Sequence, residues 1–183
     1  MRQTVKRLPN LDVVLLYFVK LSNKRAYCDM IDESDRRILN VLQRDAAMPL
    51  DALGDEVGLS RNAVWRRIKT LEADGIIRGR VALLDAEALD LGLSVYMQVR
   101  TNAHSAEWSA AFAKAIWEIP EILSAARMTG DLDYLVHARV RDMKHYDRLY
   151  RRLTKRVEMS DVSASFVMEE LKDTTALPLA QVI

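Results

Sequence analysis

One cysteine, Cys28, is all the thiol chemistry available to this chain of 183 residues. An internal disulfide is therefore excluded, a cysteine metal cluster has no ligands, and a reducing cytoplasm is the expected setting. Histidine is nearly as scarce, and His104, His137 and His145 are too dispersed for a metal set by spacing. No serine or cysteine sits in a nucleophile motif, so no catalytic residue, metal or cofactor is expected. Long hydrophobic runs are missing too. The one apolar run, Val13–Val19, has seven residues, against the ~20 that span a bilayer, and no membrane partner is expected. Arg2, Lys6 and Arg7 precede it as in a signal peptide, but no small-residue cleavage site follows. Finally, the chain lacks a dominant charge: its net charge is +1, so only the distribution of charge can point to a partner.

That distribution is uneven. Residues 59–80 carry six basic groups (Arg61, Arg66, Arg67, Lys69, Arg78, Arg80) against Glu72 and Asp74, whereas residues 92–171 carry eleven of each sign. The positive stretch begins as a helix. Ser60 is a good N-cap, and Val64, Ile68 and Leu71 recur at the spacing of one apolar stripe. At 100° per residue Asn62, Arg66 and Lys69 fall on the opposite side, with Arg61 and Trp65 on the flanks and Gly75 as the stop. Arg67 lies toward the core side, where an acidic neighbour is its expected partner.

Upstream, Asp32 or Ser34 can cap a helix whose inward stripe is Ile38, Leu39 and Leu42, broken by Met48-Pro49. A second helix runs from about Leu50 to Val57, with Leu53 and Val57 inward, and Gly58-Leu59 forms a tight turn. A packing helix, then helix, glycine turn and helix, is the helix-turn-helix arrangement. Ile76–Leu84 offers two short β runs around Gly79, which predict a wing. In this context the exposed face of the third helix is expected to contact double-stranded DNA. Arg61, Asn62 and Arg66 lie nearest the helix N-terminus, the end that reaches base edges: Arg suits guanine and Asn suits adenine. Lys69, Arg78 and Arg80 are expected to hold phosphates. Ser60 belongs to the same face as its cap. Trp65 is open to two readings, a thymine methyl or sugar contact and partial packing at the flank.

From Gly92 the periodicity changes. Leu93, Val95, Met97 and Val99 alternate with Ser94, Tyr96, Gln98 and Arg100, the period of a strand with one buried face. Residues 105–118 form a helix with Trp108, Phe112 and Ile116 aligned, and Ile122–Met128 a second strand. After Thr129-Gly-Asp, Tyr134, Val136, Ala138 and Val140 mark a third strand. Met143, Tyr146, Tyr150, Leu153 and Val157 stripe a helix. Asp161–Glu170 alternates again, with Val162, Ala164, Phe166 and Met168 in register. The order β-α-β-β-α-β is the ferredoxin-like αβ-sandwich, so the fold class is α+β. The expected divisions are a 1–29 extension or mis-called upstream start (net +4, unlike the rest), a winged helix-turn-helix over 30–82 and a connector over 83–91. A ferredoxin-like domain over 92–175 and a tail over 176–183 complete the chain.

The chain resembles the Lrp/AsnC, or feast/famine, family of regulators over about residues 30–180. The carriers are Asp32-Glu-Ser-Asp-Arg-Arg-Ile-Leu, Leu59-Ser-Arg-Asn-Ala-Val-Trp-Arg-Arg-Ile-Lys-Thr-Leu-Glu, Gly75-Ile-Ile, Thr129-Gly-Asp-Leu-Asp-Tyr-Leu and Phe166-Val-Met-Glu-Glu-Leu-Lys. Each is weak alone, but five in the right order across both domains are specific. One departure is visible: relatives carry a Pro-Gly turn before the last strand, where this chain reads Arg156-Val-Glu-Met-Ser-Asp.

The resemblance implies a DNA-binding transcriptional regulator that responds to an amino acid and forms homodimers, with tetramers or octamers beyond them. By its residues alone, Thr129-Gly-Asp-Leu-Asp-Tyr is a tight loop between strands. The resemblance makes it the lining of an effector pocket between subunits, with Met128, Thr129, Gly130, Asp131 and Asp133 as candidates and Ser163 and Ser165 as lesser ones. Asp131 or Asp133 would then receive an α-ammonium group and nearby amides a carboxylate. Two rivals remain. Siroheme decarboxylases resemble the family but carry histidine-containing signatures, and the corresponding region here reads Ala-Arg-Met-Thr-Gly-Asp. A free-standing amino-acid sensor would use its helix-turn-helix only for protein contacts.

Overall fold

The computed structural model describes residues 31–181; the proposed extension over 1–29 lies outside them. Two compact units emerge: a helical one containing Ile31–Val81 together with the C-terminal segment from Thr174, and an αβ one over Ala82–Asp173. These limits differ from the expected ones. The 83–91 connector belongs to the αβ unit, where Asp90 pairs with Arg141 at 2.7 Å. The C-terminal segment belongs to the helical unit.

In the helical unit, α1 spans Glu33–Leu42, α2 Leu50–Val57 and α3 Arg61–Ala73. Of the two cap candidates Asp32 serves: its carboxylate accepts from the Asp35 amide at 2.8 Å, and the Asp35 carboxylate accepts from the Asp32 amide at 3.3 Å. This reciprocal capping box satisfies two donors that the first turn would otherwise leave open. Ile38, Leu53, Val57, Val64 and Ile68 meet in one buried cluster. Each fully buried aliphatic of this kind stabilises the unit by about 1.5–3 kcal/mol. The turn between α2 and α3 needs two glycines. Gly58 ends α2 at φ +70°, in the left-handed region, and a Cβ on Gly54 would lie 2.6 Å from the Leu59 carbonyl oxygen.

α3 starts with the Ala63 amide donating to Ser60 Oγ at 3.3 Å. It stops at Gly75, φ +71°, with the Gly75 amide donating to Glu72 O and the Ile76 amide to Leu71 O, the paired bonds of a Schellman motif. The predicted wing strands do not form: Ile76–Leu84 contains no strand. Val81, Leu83 and Leu84 are 82%, 75% and 74% exposed. A two-stranded ribbon with no apolar surface beneath it gains too little burial to hold its ladder.

In the αβ unit, β1 (Leu93–Arg100), α4 (Ala106–Trp117), β2 (Ile122–Arg127), β3 (Tyr134–Val140), α5 (Met143–Thr154) and β4 (Asp161–Phe166) follow in chain order. The sheet runs β2-β3-β1-β4 with every neighbouring pair antiparallel, the ferredoxin-like topology. Ser105 and Asp142 cap the two helices through the Trp108 and His145 amides. Val95, Met97 and Val99 of β1, Val136, Ala138 and Val140 of β3, Phe112 of α4 and Leu149 and Leu153 of α5 share one buried core. Two details of the expected pattern are corrected. Met143 is 56% exposed in the first turn of α5, and Leu149 fills the stripe instead. Met168 is 97% exposed, because β4 ends at Phe166, opposite Val95, and β1 offers little more edge to pair with.

Candidate functional site

α3 is sealed on one side and open on the other. Val64, Ile68 and Leu71 are buried, while Ser60, Arg61, Asn62, Trp65, Arg66 and Lys69 are exposed together. Some of these cations have intramolecular partners. Arg61 reaches Asp51 at 3.4 Å, Lys69 donates to Glu72 at 2.8 Å, and Arg80 reaches the other oxygen of Glu72 at 3.3 Å. The hydrogen bond from Lys69 and the charges of Lys69 and Arg80 hold the Glu72 carboxyl below the ordinary glutamate value. Such exposed pairs are weak and exchangeable, so an anion of higher charge density can take the cations over. Trp65 is 53% exposed at the flank. Arg78 and Arg80 lie in the irregular segment after α3, both exposed.

Arg67 turns the other way, as its position on the helix requires. Its Nη1 donates to Asp32 at 2.7 Å and to Asp35 at 2.9 Å. The Asp35 and Asp32 hydrogen bonds raise the Arg67 pKa further above its usual value. The Asp35 side chain is only 11% exposed, so this pair is the interior anchor of the exposed face. Sequence reasoning placed Arg67 off the outer face but did not find Asp35, whose spacing from Asp32 carries the signal of a capping box. It also missed Gly54, a glycine inside a helix and hence a marker of close backbone approach.

The Met128–Asp133 loop joins β2 to β3. The Met128 amide donates to Asp133 O at 2.8 Å, and Gly130 takes φ +98°. Asp133 is half-buried, and its Oδ2 accepts from the Thr101 amide at 2.8 Å. Its carboxylate therefore already fixes the end of β1. Met128, Thr129, Gly130 and Asp131 are exposed. Arg100, absent from the sequence candidates, ties this loop to β4. Its Nε donates to Asp131 O at 2.9 Å and its Nη1 to Asp161 at 2.8 Å. Ser163 and Ser165 project from the exposed face of β4, opposite Gln98 and Tyr96. They share a sheet face with Arg100 but stand further along it than the loop.

A different cavity, of about 850 Å³, opens at the other end of the same sheet, lined by Ser94, Glu121, Leu123, Arg139, Val167 and Glu170. The Arg139–Glu170 pair, 2.6 Å apart, spans it. Beside it, Ser94 Oγ and His137 Nε2 share a hydrogen bond of 2.9 Å, and Tyr96 stacks on the imidazole at 4.5 Å. Burial, with the Arg139 charge adding to it, pushes the His137 pKa down. Glu121 binds His145 at 2.8 Å and also Arg152. Burial alone would raise the Glu121 pKa, but the hydrogen bonds from His145, from its own backbone amide and from Arg152 together outweigh it and the net direction is down. Among the described residues no cluster of three His, Cys, Asp or Glu side chains assembles to hold a metal ion. No described helix is long and apolar enough to cross a membrane.

A capped, outward-facing basic helix on a helix-turn-helix, followed by a ferredoxin-like unit, defines a DNA-binding regulator with an appended ligand-binding domain. Residues 31–78 match the winged helix-turn-helix DNA-binding family, and residues 94–177 match the Lrp/AsnC ligand binding domain. The chain is 46% identical over 151 residues to the DNA-binding transcriptional activator DecR of Escherichia coli, an alignment covering 82% of this chain and 99% of that protein. Among solved structures, an AsnC family transcriptional regulator from Agrobacterium tumefaciens superimposes with a TM-score of 0.80 at 43% identity, covering 83% of this chain and 99% of the other. A transcriptional regulator of Neisseria meningitidis, solved as a complex with L-methionine, does so with a TM-score of 0.80 at 35% identity over the same shares. The chain belongs to the Lrp/AsnC family of transcriptional regulators.

Proposed function

We propose that this Lrp/AsnC regulator binds double-stranded DNA through the open face of α3 and changes its DNA binding or assembly when an amino acid binds its αβ unit. The observation that carries the reading is the two-sidedness of α3: three buried apolar residues behind, with Arg61, Asn62, Arg66 and Lys69 exposed in front. Arg61, Asn62 and Arg66 read base edges, while Lys69, Arg78 and Arg80 hold phosphates. Ser60 fixes the helix start, and Trp65, 53% exposed at the helix flank, touches a thymine methyl or sugar. Two subunits related by a two-fold axis present paired helices to half-sites about one helical turn apart, or a multiple of it. The protein acts as a cytoplasmic regulator, not an enzyme, and its homodimers build larger assemblies.

The effector reading is supported by the αβ-domain family match and by the L-methionine complex of the Neisseria meningitidis regulator. In this chain Thr129 and Gly130 are exposed residues whose backbone amides suit an α-carboxylate, and Asp131 suits an α-ammonium group, with Met128 beside the side chain. Asp133 contributes through the carboxylate oxygen that Thr101 does not use. Ser163 and Ser165, further along the same sheet face, are lesser contacts. Effector and DNA sites of this kind are coupled by about 1–3 kcal/mol.

Genomic selection of bound DNA fragments, followed by mobility shifts across a salt series with and without each amino acid, tests both halves. A salt-dependent shift that one amino acid alters is expected, because neutralised phosphates release counterions. Sequence-independent binding that no amino acid alters would overturn the reading. Asp131→Asn is the cleaner probe of the pocket, since Asp133→Ala also releases the Thr101 amide.

A further inference from the structure

The segment that follows α3 carries two of the proposed phosphate contacts, Arg78 and Arg80, yet has no secondary structure to hold them. After the Ile76 and Ile77 amides, which both donate to Leu71 O, the amides of residues 78–81 make no backbone hydrogen bond among the described residues. Across a shared apolar space from this segment runs the C-terminal stretch of the chain. Leu177 and Leu179 line, with Leu39, Leu42, Ala46 and Ile77, a half-open space of about 210 Å³ that Arg78, Gly79 and Arg80 also border. The contact is specific as well as apolar. Gln43, the residue that caps the end of α1, clamps the main chain of Leu177 from both sides: the Leu177 amide donates to Gln43 Oε1 at 2.6 Å, and Gln43 Nε2 donates to Leu177 O at 3.3 Å. A carboxamide that satisfies both backbone groups of one residue stands in for a step of β pairing. The helical unit is thus built from two stretches of chain with the αβ unit inserted between them.

We infer that the C-terminal segment Thr174–Gln181 is a positioning element of the DNA-binding unit, seated in the place where a paired wing would give support and holding Ile76–Arg80 against α1. Its place across from the segment limits how far Arg78 and Arg80 can wander, while the exposed Arg80–Glu72 pair stays exchangeable for a phosphate. The inference rests on the proposed DNA reading for the role of the two arginines, but not for the docking itself.

Two arms separate those parts. In the full chain without DNA, trypsin cleavage after Arg78 and Arg80 is compared with the Gln43→Ala, Leu179→Ala double variant and with a chain ending at Asp173. Cleavage at these two sites is expected to rise several-fold in both, with cleavage after Arg141 unchanged. Equal rates would overturn the docking. The second arm measures the salt dependence of binding to a non-specific duplex. The slope of log K against log salt is expected to shrink by about one to two in the variants, as one or two phosphate contacts are lost. Faster cleavage with an unaltered slope would overturn the positioning of Arg78 and Arg80. A parent chain that binds no duplex at any salt would also overturn that positioning, and with it the DNA reading, while the first arm still decides the docking.

Discussion

Arg67 Nη1 lies 2.9 Å from Asp35 Oδ1 and 2.7 Å from Asp32 Oδ2, so α3 is fastened to the capping box of α1. Removing the guanidinium leaves Asp35, nearly buried, without its cationic partner. Arg67→Ala is therefore expected to destabilise the helical unit by about 1–3 kcal/mol, read as a lower midpoint in urea. Arg67→Lys should recover only part of this, because the lysine Nζ is one bond shorter in reach than the Nη1 that bonds both carboxylates. A midpoint within experimental error of the parent would show that the fastening contributes nothing.

Gly54→Ala tests the tightness of the turn between α2 and α3. The new Cβ would sit 2.6 Å from the Leu59 carbonyl oxygen, a backbone atom that cannot swing aside. Overpacking of this kind costs about 1–3 kcal/mol, and DNA affinity should fall with stability because α3 is displaced. Ala at the exposed Gly79, where a Cβ meets nothing within 4 Å, is the matched control and should be near neutral.

The division between base readers and phosphate holders on α3 separates by salt. Arg66→Ala should weaken the selected site by about 1–3 kcal/mol and relax its sequence preference. Lys69→Ala should weaken all duplexes alike and reduce the salt slope by about one. Equal losses on specific and non-specific DNA for Arg66→Ala would remove it from base reading.

Stability should fall on acidification in two stages. The His137 pKa is depressed by burial and by Arg139, against the opposing charges of Glu170 and Asp173, so the native state favours the neutral ring. That contribution is complete above the ordinary histidine value of 6.5 and is lost as pH falls from there through the native value. His137→Gln should flatten this stage in thermal melts of the αβ unit. The second stage belongs to carboxylates with lowered values. Asp32 is lowered by the Asp35 amide and Arg67, and Glu121 by His145 and Arg152 against the pull of burial. Their stabilisation is present above the ordinary values of 3.8 and 4.5 and disappears as pH drops through the lower native ones. A melting temperature that stays level from pH 7 to 3 would refute both stages.

The five α-helices and four strands between Glu33 and Phe166 were legible because their signals are local. Val64, Ile68 and Leu71 declare a buried stripe by spacing alone, and β1 declares its inner face by alternation. Ser60 and Gly75 mark the ends of α3 through their own backbone chemistry. The outward face of α3 follows from the same arithmetic, since whatever opposes a buried stripe is exposed.

Tertiary structure decided what depends on a distant partner. The two short β runs of Ile76–Leu84 predict a wing, but strands form only where another surface buries one face, and Ile76–Arg80 instead border a space shared with Leu177 and Leu179 from the far end of the chain. The lone turn Thr129–Asp133 could not reveal that Arg100 and Thr101 hold it, because those contacts cross the sheet. Nor could spacing show that Asp35 takes Arg67. Periodicity reports which side of an element is buried; which side chain it meets there is settled only when the chain closes on itself.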